Sequence, residues 1–311
     1  MTSTTQTPPP AASPRARLIG YSFALAAGAI WGTTGPLSTA LYAEGAQLTA
    51  VGFWRIFLAT IGFIIYGLFN RRLFVIDRKG LLYIALLGGA LVAIFEVGFQ
   101  FAIAGLGVAP AVALLYVAPV IVAFLAHFML GEKLTGLRIA LAVMVMVGVY
   151  LTMTGTVSGD DASARNASRV AGLLGGVLSA LSYAGTTILA RWAVPRYGAV
   201  KTLFYEIAGG SVILAVLLPL VGHTPHAPDS IAGWIYIAAL GLGAVLAANF
   251  FFFAAVKRID AAPTAVAASV EPFVGALLAM LLFNQQLYWF GWLGLAMVIG
   301  GVAGGAREEA S

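Results

Sequence analysis

Two stretches of the sequence, YVAPVIVAFLAHFMLGEKL at 116–134 and SVEPFVGALLAMLLFNQQL at 269–287, repeat one pattern 153 residues apart. Valine, proline, alanine, leucine, alanine and the final leucine coincide when the two are aligned. Both stretches are apolar for most of their length, as a membrane span requires. The second copy carries a carboxylate, Glu271, inside its apolar run. The repeat predicts a chain made of two related halves.

The composition indicates a membrane protein. Hydrophobic residues make up 61% of the chain and charged residues 9%, and the mean hydropathy is +0.96. A soluble domain is roughly a quarter charged, so this chain could not cover a water-facing surface. Cysteine is absent, which excludes disulfides and thiolate metal sites. The basic residues form short clusters between apolar runs, so they indicate membrane topology and no nucleic-acid partner.

Ten apolar segments are long enough to cross a bilayer of about 30 Å. We predict spans at 18–41, 49–69, 80–104, 108–130, 136–153, 170–194, 200–221, 231–255, 261–283 and 288–305.

Lysine and arginine predict the orientation of these spans. Of the 17 basic residues, 14 fall in alternate connections or termini, all on one side of the predicted membrane. Basic residues concentrate in cytoplasmic loops, so both termini are predicted to be cytoplasmic in a bacterial inner membrane.

Other segments repeat with the same spacing. GLLYIALLG at 80–88 aligns with GWIYIAALG at 233–241, and Pro110 aligns with Pro263. Each half has five spans, and because five is odd the second half must enter the membrane the other way up. The predicted fold is therefore all-α and integral to the membrane, with ten transmembrane helices in two inverted five-helix repeats around a central cavity.

The repeats also set the domain limits. We predict a disordered cytoplasmic leader at 1–17, a first repeat at 18–153, an external linker at 154–169, a second repeat at 170–305 and a cytoplasmic tail at 306–311.

Pro119 and Pro272 occupy equivalent places in the two quoted stretches. A proline inside a helix removes a backbone hydrogen bond and frees a carbonyl one turn earlier. In a membrane that carbonyl needs a partner, which a cavity or a substrate can supply. The two prolines are predicted hinges; kinks that serve only packing are the alternative.

The pattern resembles a known family. Trp31-Gly32, Arg55 within FWRIFLA, YVAPV followed by LGEKL, and SVEPF at 269–273 are similar to two EamA domains of the drug/metabolite transporter (DMT) superfamily, most of all to YddG-type amino acid exporters. The second copy departs from the pattern with Asn284-Gln285-Gln286. The resemblance implies a basket of ten helices, with spans 1–4 and 6–9 lining a cavity and spans 5 and 10 bracing it. It also implies export of amino acids or other small metabolites.

Charged residues within spans tend to mark function. Glu271 is predicted to contact a substrate ammonium or to carry a coupling proton; pairing with Arg55 is the alternative. Arg55 is predicted to form a structural ion pair with Glu96 or Glu271, or else to hold a substrate carboxylate. Glu206 is expected near the cytoplasmic end of span 7, snorkelled or paired close to Lys201.

Other side chains are predicted to line the cavity. Glu96 and Gln100, four residues apart, share one face of span 3. Asn249 is expected to point inward, because an amide facing lipid would be unsatisfied. The remaining predicted cavity residues are the aromatic side chains Trp31, Tyr83, Tyr116 and Tyr183.

The sequence thus predicts a secondary exporter of amino acids that works by alternating access; export of another metabolite or a drug-like cation is the alternative. No phosphate-binding loop is present, so driving transport with ATP would need a separate subunit. A secondary exporter requires no ATPase subunit, and no cofactor or metal is expected. The scattered histidines and acids do not favour an enzyme, and a channel lacks its ring of charges. The expected partners are a small-molecule substrate and the lipid bilayer. Glycine pairs favour packing within one bundle, so a monomer is expected, and a dimer remains the alternative.

Overall fold

A computed structural model describes residues 14–130, 135–156, 162–259 and 261–308. Throughout these ranges the regular elements are helical, and one isolated antiparallel bridge joins Thr156 to Leu287. Most of the predicted leader lies outside the described residues, as do 131–134, 157–161, 260 and the last three residues of the predicted tail.

The first half of the chain folds into eight helices, several of them interrupted. A π-helical segment, Leu81–Gly88, connects α4 to α5 without a turn, and a short 3-10 turn, Arg71–Phe74, follows α3. The helices are α1 Pro14–Gly32, α2 Thr34–Ala43, α3 Leu48–Phe69, α4 Arg78–Gly80, α5 Gly89–Leu106, α6 Val108–Leu115, α7 Ala118–Leu130 and α8 Gly136–Thr154.

The second half follows the same plan. A π-helical segment, Ala239–Ala247, again joins two helices of one crossing. The helices are α9 Ala162–Tyr197, α10 Ala199–Leu220, α11 Ile231–Ala238, α12 Ala248–Ile259, α13 Ala261–Ala268, α14 Glu271–Phe283 and α15 Trp289–Glu308.

Eight helical segments of the described chain are long and apolar enough to cross a membrane. The first and last predicted spans fall short of that standard. The first is helical but is interrupted at Thr33, and its helix α1 carries Arg15 and Arg17 in its first turn; the apolar part of the last, Trp289–Gly305, is shorter. The count of ten therefore stays a prediction.

Several helices extend beyond the predicted limits. Helix α1 already begins at Pro14, in the segment predicted as a disordered leader, because proline suits the first helical turn. Helix α9 begins at Ala162, so much of the predicted linker is helical, and α15 continues into the predicted tail as far as Glu308. Apolar length predicts where a helix lies in the bilayer, and polar residues can continue that helix beyond it.

Equivalent helices break at equivalent places. Tyr116 and Val117 interrupt the helix between α6 and α7, and Ser269 and Val270 interrupt it between α13 and α14. The two breaks are 153 residues apart, the spacing of the sequence repeat. Each precedes its proline by two residues, so the proline lies in the first turn of the new helix, where its missing N–H costs nothing.

Helices of one half pack against helices of the other half in two equivalent pairs. Helix α1 packs on α12, and their counterparts in the other half, α9 and α5, also pack together. Helices α8 and α15, counterparts of each other, meet closely: a Cβ on Gly148 would lie 2.6 Å from the carbonyl oxygen of Gly294, and a Cβ on Gly301 would lie 2.6 Å from a methyl of Val145. Glycine allows these backbones to approach each other as small residues do in membrane interfaces.

Candidate functional site

The two broken helices touch at their breaks. The hydroxyl of Tyr116, at the first break, donates a hydrogen bond to Oε2 of Glu271 over 3.1 Å. Glu271 is the first residue of α14, so its carboxylate lies at a helix N-terminus, where the helix dipole favours negative charge. A carboxylate from one half is therefore held by a phenol from the other.

The end of α1 packs against the same break. A Cβ on Gly32 would lie 2.9 Å from the carbonyl oxygen of Glu271, so only glycine fits this approach. The neighbouring Trp31 places its ring 5.4 Å from that of Phe252. The Trp-Gly pair thus brings α1 up to the start of α14 and sets an aromatic surface beside it.

A buried ion pair lies on α3 and α5. Nε of Arg55 is 3.2 Å from Oε2 of Glu96, and the two side chains are 7% and 4% exposed. Neither atom has a hydrogen-bond partner of good geometry among the described residues, so the contact is a charge pair whose N–H is not aimed at the oxygen. The charge of Arg55 also acts on Glu271, which ties the ion pair to the helix breaks.

Gln100 lies one turn after Glu96 and is fully buried. Its Oε1 accepts a hydrogen bond of 2.6 Å from the hydroxyl of Tyr42 on α2. Sequence reasoning missed Tyr42, because the first span was predicted to end one residue earlier. The spacing of Ser38 and Tyr42, one helical turn apart on a face that also carries buried Leu41, is the signal that could have identified it.

Tyr183 on α9 completes the cluster from the second half. Its ring lies 6.0 Å from that of Phe95, which stacks on Phe99. The side chain is 48% exposed, and it lies within electrostatic range of Glu271. Tyr183 thus adds a phenol from α9 beside the aromatic pair Phe95 and Phe99.

Two predicted cavity residues are not brought to this place. Tyr83 lies in the π-helical segment, is 45% exposed and packs its ring 5.4 Å from Trp192. Asn249 uses its amide nitrogen to donate to the Val245 carbonyl of its own helix over 2.8 Å. The inward orientation of Asn249 and the cavity role of Tyr83 stay predictions without a contact to support them.

Glu206 does not behave as expected. It is buried in α10, and its Oε1 has no hydrogen-bond partner among the described residues. Lys201 instead donates to the Val75 carbonyl over 2.7 Å. Glu206 lies about two turns from the start of α10, where a neighbouring segment covers it, here the one that carries Gly88.

We call the assembled residues the central polar cluster. It contains acidic, basic and neutral hydrogen-bonding groups from both halves of the chain. Its members are Tyr42, Arg55, Glu96, Gln100, Tyr116, Tyr183 and Glu271. Such a set can bind an ammonium through its carboxylates and a carboxylate through its guanidinium. The described residues contain no group of three or more side chains fit to hold a metal ion.

A cavity of about 440 Å³ lies elsewhere, between the end of α2 and the segment before α11. Its lining includes Glu44, Trp54, His226 and Ser230. It contains none of the central polar cluster, and the chemistry of the cluster makes that cluster the candidate site.

Comparison with known proteins identifies relatives over most of the chain. The EamA-like transporter family matches twice, at residues 18–154 and 170–304. An uncharacterized transporter of Archaeoglobus fulgidus is 28% identical over 203 residues, which are 65% of this chain and 68% of that protein. The uncharacterized transporter YxxF of Bacillus subtilis is 25% identical over 196 residues, which are 62% of this chain and 60% of that protein.

A solved crystal structure has the same fold, with a TM-score of 0.59 and 20% identity, over 96% of this chain and 99% of the other. The two sequence relatives are named only as transporters, so the expected likeness to YddG-type amino acid exporters gains no support. The two family matches are consecutive and together span most of the sequence, and this multi-pass membrane protein therefore belongs to the EamA-like transporter family of the DMT superfamily.

Proposed function

We propose that this chain is a secondary transporter that exports amino acids by alternating access, with the central polar cluster as its substrate site. The observation that carries the proposal is the contact of Tyr116 with Glu271 at the point where two broken helices meet. Discontinuous helices that meet near the bilayer midplane are where secondary transporters bind their substrates.

The chemistry of the cluster suits a zwitterion. The carboxylate of Glu271 can accept hydrogen bonds from a substrate ammonium, and Arg55 can face a substrate carboxylate. Nη1 of Arg55 has no hydrogen-bond partner among the described residues, so one donor of the guanidinium is left for a ligand. Phe95 and Tyr183 offer an aromatic surface to the substrate's side chain.

The proposal includes ten transmembrane helices in two inverted repeats around a central cavity. The equivalent breaks and the exchanged packing of α1 on α12 and of α9 on α5 support it. Such halves can exchange conformations, so that a site between them opens first to one side and then to the other. Pro119 and Pro272, in the first turn after each break, are the proposed hinges.

The orientation follows from the basic residues. Of the 17 lysines and arginines, 14 lie on one side, which we assign to the cytoplasm together with both termini. The proposed location is a bacterial inner membrane, and the proposed unit is a monomer. The mechanism involves no nucleotide, cofactor or metal.

Export of an organic cation is a second candidate. Glu271 and the phenols of Tyr116 and Tyr183 would suit a cation, because aromatic rings attract positive charge alongside a carboxylate.

Counterflow in proteoliposomes tests the function. Vesicles are loaded with one unlabelled amino acid from a panel, and entry of a labelled amino acid is followed. We expect saturable exchange for several amino acids, and weaker exchange for Glu271→Gln and Tyr116→Phe. Glu206→Gln is the matched control, since it alters a buried carboxyl outside the cluster.

Folded protein that exchanges no amino acid would contradict the proposal, and exchange of organic cations alone would favour the second candidate. Exchange that survives Glu271→Gln unchanged would restrict Glu271 to a structural role.

A further inference from the structure

At one face of the bundle, a hydrogen bond joins the two halves at the N-terminus of α4. Oδ1 of Asp77 accepts a hydrogen bond of 2.6 Å from the hydroxyl of Tyr197, the last residue of α9. The same oxygen accepts from the backbone N–H of Gly80 over 2.9 Å and so caps α4. We call the bond between the two side chains the 77–197 contact.

The other face has a corresponding bond in front of α11. The hydroxyl of Ser230 donates to Oε2 of Glu44 over 2.9 Å. Oγ of Ser230 also accepts from the backbone N–H of Gly233 over 2.9 Å, and so caps α11. We call the bond between Glu44 and Ser230 the 44–230 contact.

These two contacts are images of each other under the repeat. Ser230 stands 153 residues after Asp77, Tyr197 stands 153 residues after Glu44, and the capped Gly233 stands 153 residues after Gly80. The residue that caps the following helix and the residue at the end of the preceding helix occupy equivalent positions in the two contacts. The cap residue is the acceptor in the 77–197 contact and the donor in the 44–230 contact. In each contact, the oxygen atom that caps a helix also forms the hydrogen bond to a side chain from the other half.

A second pair of bonds accompanies them. The hydroxyl of Tyr205 donates to the Phe74 carbonyl over 3.0 Å, beside the 77–197 contact. Nε1 of Trp54 donates to the His226 carbonyl over 3.0 Å, beside the 44–230 contact. The donors are 151 residues apart and the acceptors 152, so this pair also follows the repeat. The first loop also accepts a bond of 2.7 Å from Lys201 at the Val75 carbonyl, so each loop is fixed by at least two bonds from the opposite half.

The two contacts lie on opposite faces. Helix α3 separates Glu44 from the 3-10 turn that leads to Asp77, and its 22 residues span about 33 Å at 1.5 Å per residue. Helix α10 separates Tyr197 from the loop that leads to Ser230 in the same way, also with 22 residues. Each contact joins the two halves at the end of a crossing, and both are formed in this structure.

We infer that the 77–197 and 44–230 contacts are a matched pair of latches, of which one breaks when the bundle opens to its face while the other stays closed. The inference rests on the alternating access of the proposed function. Exposed single hydrogen bonds suit this role, because each shifts an equilibrium by only about two- to tenfold and so can break in every cycle.

The two faces are not identical. Glu44, Trp54, His226 and Ser230 line the cavity of about 440 Å³, so the 44–230 contact borders open space. Beside the 77–197 contact, the ring of Phe74 packs 5.9 Å from that of Phe204. Beside the 44–230 contact, the rings of Trp54 and Trp234 lie 5.4 Å apart, so aromatic packing between the halves accompanies both contacts.

The test uses the absence of native cysteine. Ser38 in α2 is fully buried and lies one turn from Tyr42 of the central polar cluster, so Ser38→Cys reports an opening of the bundle. A membrane-impermeant maleimide is applied either to intact cells or to inverted vesicles. Tyr197→Phe and Glu44→Ala each remove one latch and leave both helix caps in place.

We expect Tyr197→Phe to raise labelling about two- to tenfold from the face of Asp77 and not from the other, and Glu44→Ala to do the reverse. The variant that combines Tyr197→Phe with Glu44→Ala should show the wild-type ratio of labelling from the two faces. Joining Asp77→Cys to Tyr197→Cys with a short bis-maleimide, in the chain that retains Ser38, should lock that face and stop counterflow.

Labelling that changes equally from both faces, or not at all, would overturn the latches. The labelling needs no substrate, so it separates this inference from the proposed function. If the variants shift the labelling of Ser38→Cys from one face to the other in a protein that exchanges no amino acid, the latch inference stands and the proposed amino acid substrate is refuted. Normal counterflow without any shift would make the two contacts purely structural.

Discussion

Removal of Glu96 alone should destabilise the protein strongly. Arg55 and Glu96 are 7% and 4% exposed, and no other acidic side chain pairs with Arg55 within salt-bridge distance among the described residues. Breaking a buried pair by removing one partner costs about 3–5 kcal/mol, because a buried charge is left without compensation. Since Nη1 and Nε of Arg55 already lack well-directed hydrogen bonds, we expect Glu96→Met to cost near the lower limit, about 3 kcal/mol.

The matched variant removes both charges. Arg55→Met combined with Glu96→Met should come close to wild type, because apolar residues of similar volume replace buried ion pairs at little cost. Free energies of unfolding for the wild type, both single variants and the double variant, measured by denaturant titration in mixed micelles, give the coupling energy. A loss below about 1 kcal/mol for Glu96→Met would show that water reaches this site. A double variant as unstable as the sum of the singles would refute the pairing.

Three further variants probe packing, a buried acid and a surface hydrogen bond. Gly28→Ala places a methyl group on the backbone of α13 and should cost about 1–3 kcal/mol of unfolding free energy, whereas Gly243→Ala, with open space around it, should cost nothing. Glu206→Met should raise the unfolding free energy by about 1–3 kcal/mol, since it removes a buried oxygen without a partner; a loss would mean that the carboxyl has one. The Tyr197 hydroxyl, followed by the helix-cap N–H, holds the pKa of Asp77 below its usual range. The stability that this bond contributes is therefore present above the ordinary aspartate pKa and is lost as the pH falls through the lowered value. Tyr197→Phe should raise that pKa, and an unchanged titration of the carboxyl carbon by NMR would refute the assignment.

Much of the helical framework could be predicted from the sequence because it depends on local properties. Apolar runs place the crossings, and each proline of the quoted repeat marks a real interruption, at 116–117 and at 269–270. The interruptions lie just before the prolines because a proline has no N–H to bond to the preceding turn and its ring crowds the carbonyl of that turn.

The partners within the site depend on how helices face each other, which the sequence leaves open. Arg55 could have paired with Glu96 or with Glu271, and only the rotation of α5 against α3 decides for Glu96. The aromatic type of Tyr83 predicts a cavity position, and its neighbour in the structure, Trp192 with its ring 5.4 Å away, could not be derived from the sequence. Tyr42 was overlooked because the first span was predicted to end at 41, whereas α2 continues to Ala43 and brings the Tyr42 hydroxyl to Gln100.

The acid at the second break has no counterpart at the first. Ala118, fully buried, stands in the place that corresponds to Glu271. Two nearly equivalent helices therefore form a site with one negative pole. Under the proposed function, a substrate with an ammonium at one end would bind in a single orientation, with its amine at α14, whichever side of the membrane is open. The cargo would then cross the bilayer without having to turn round.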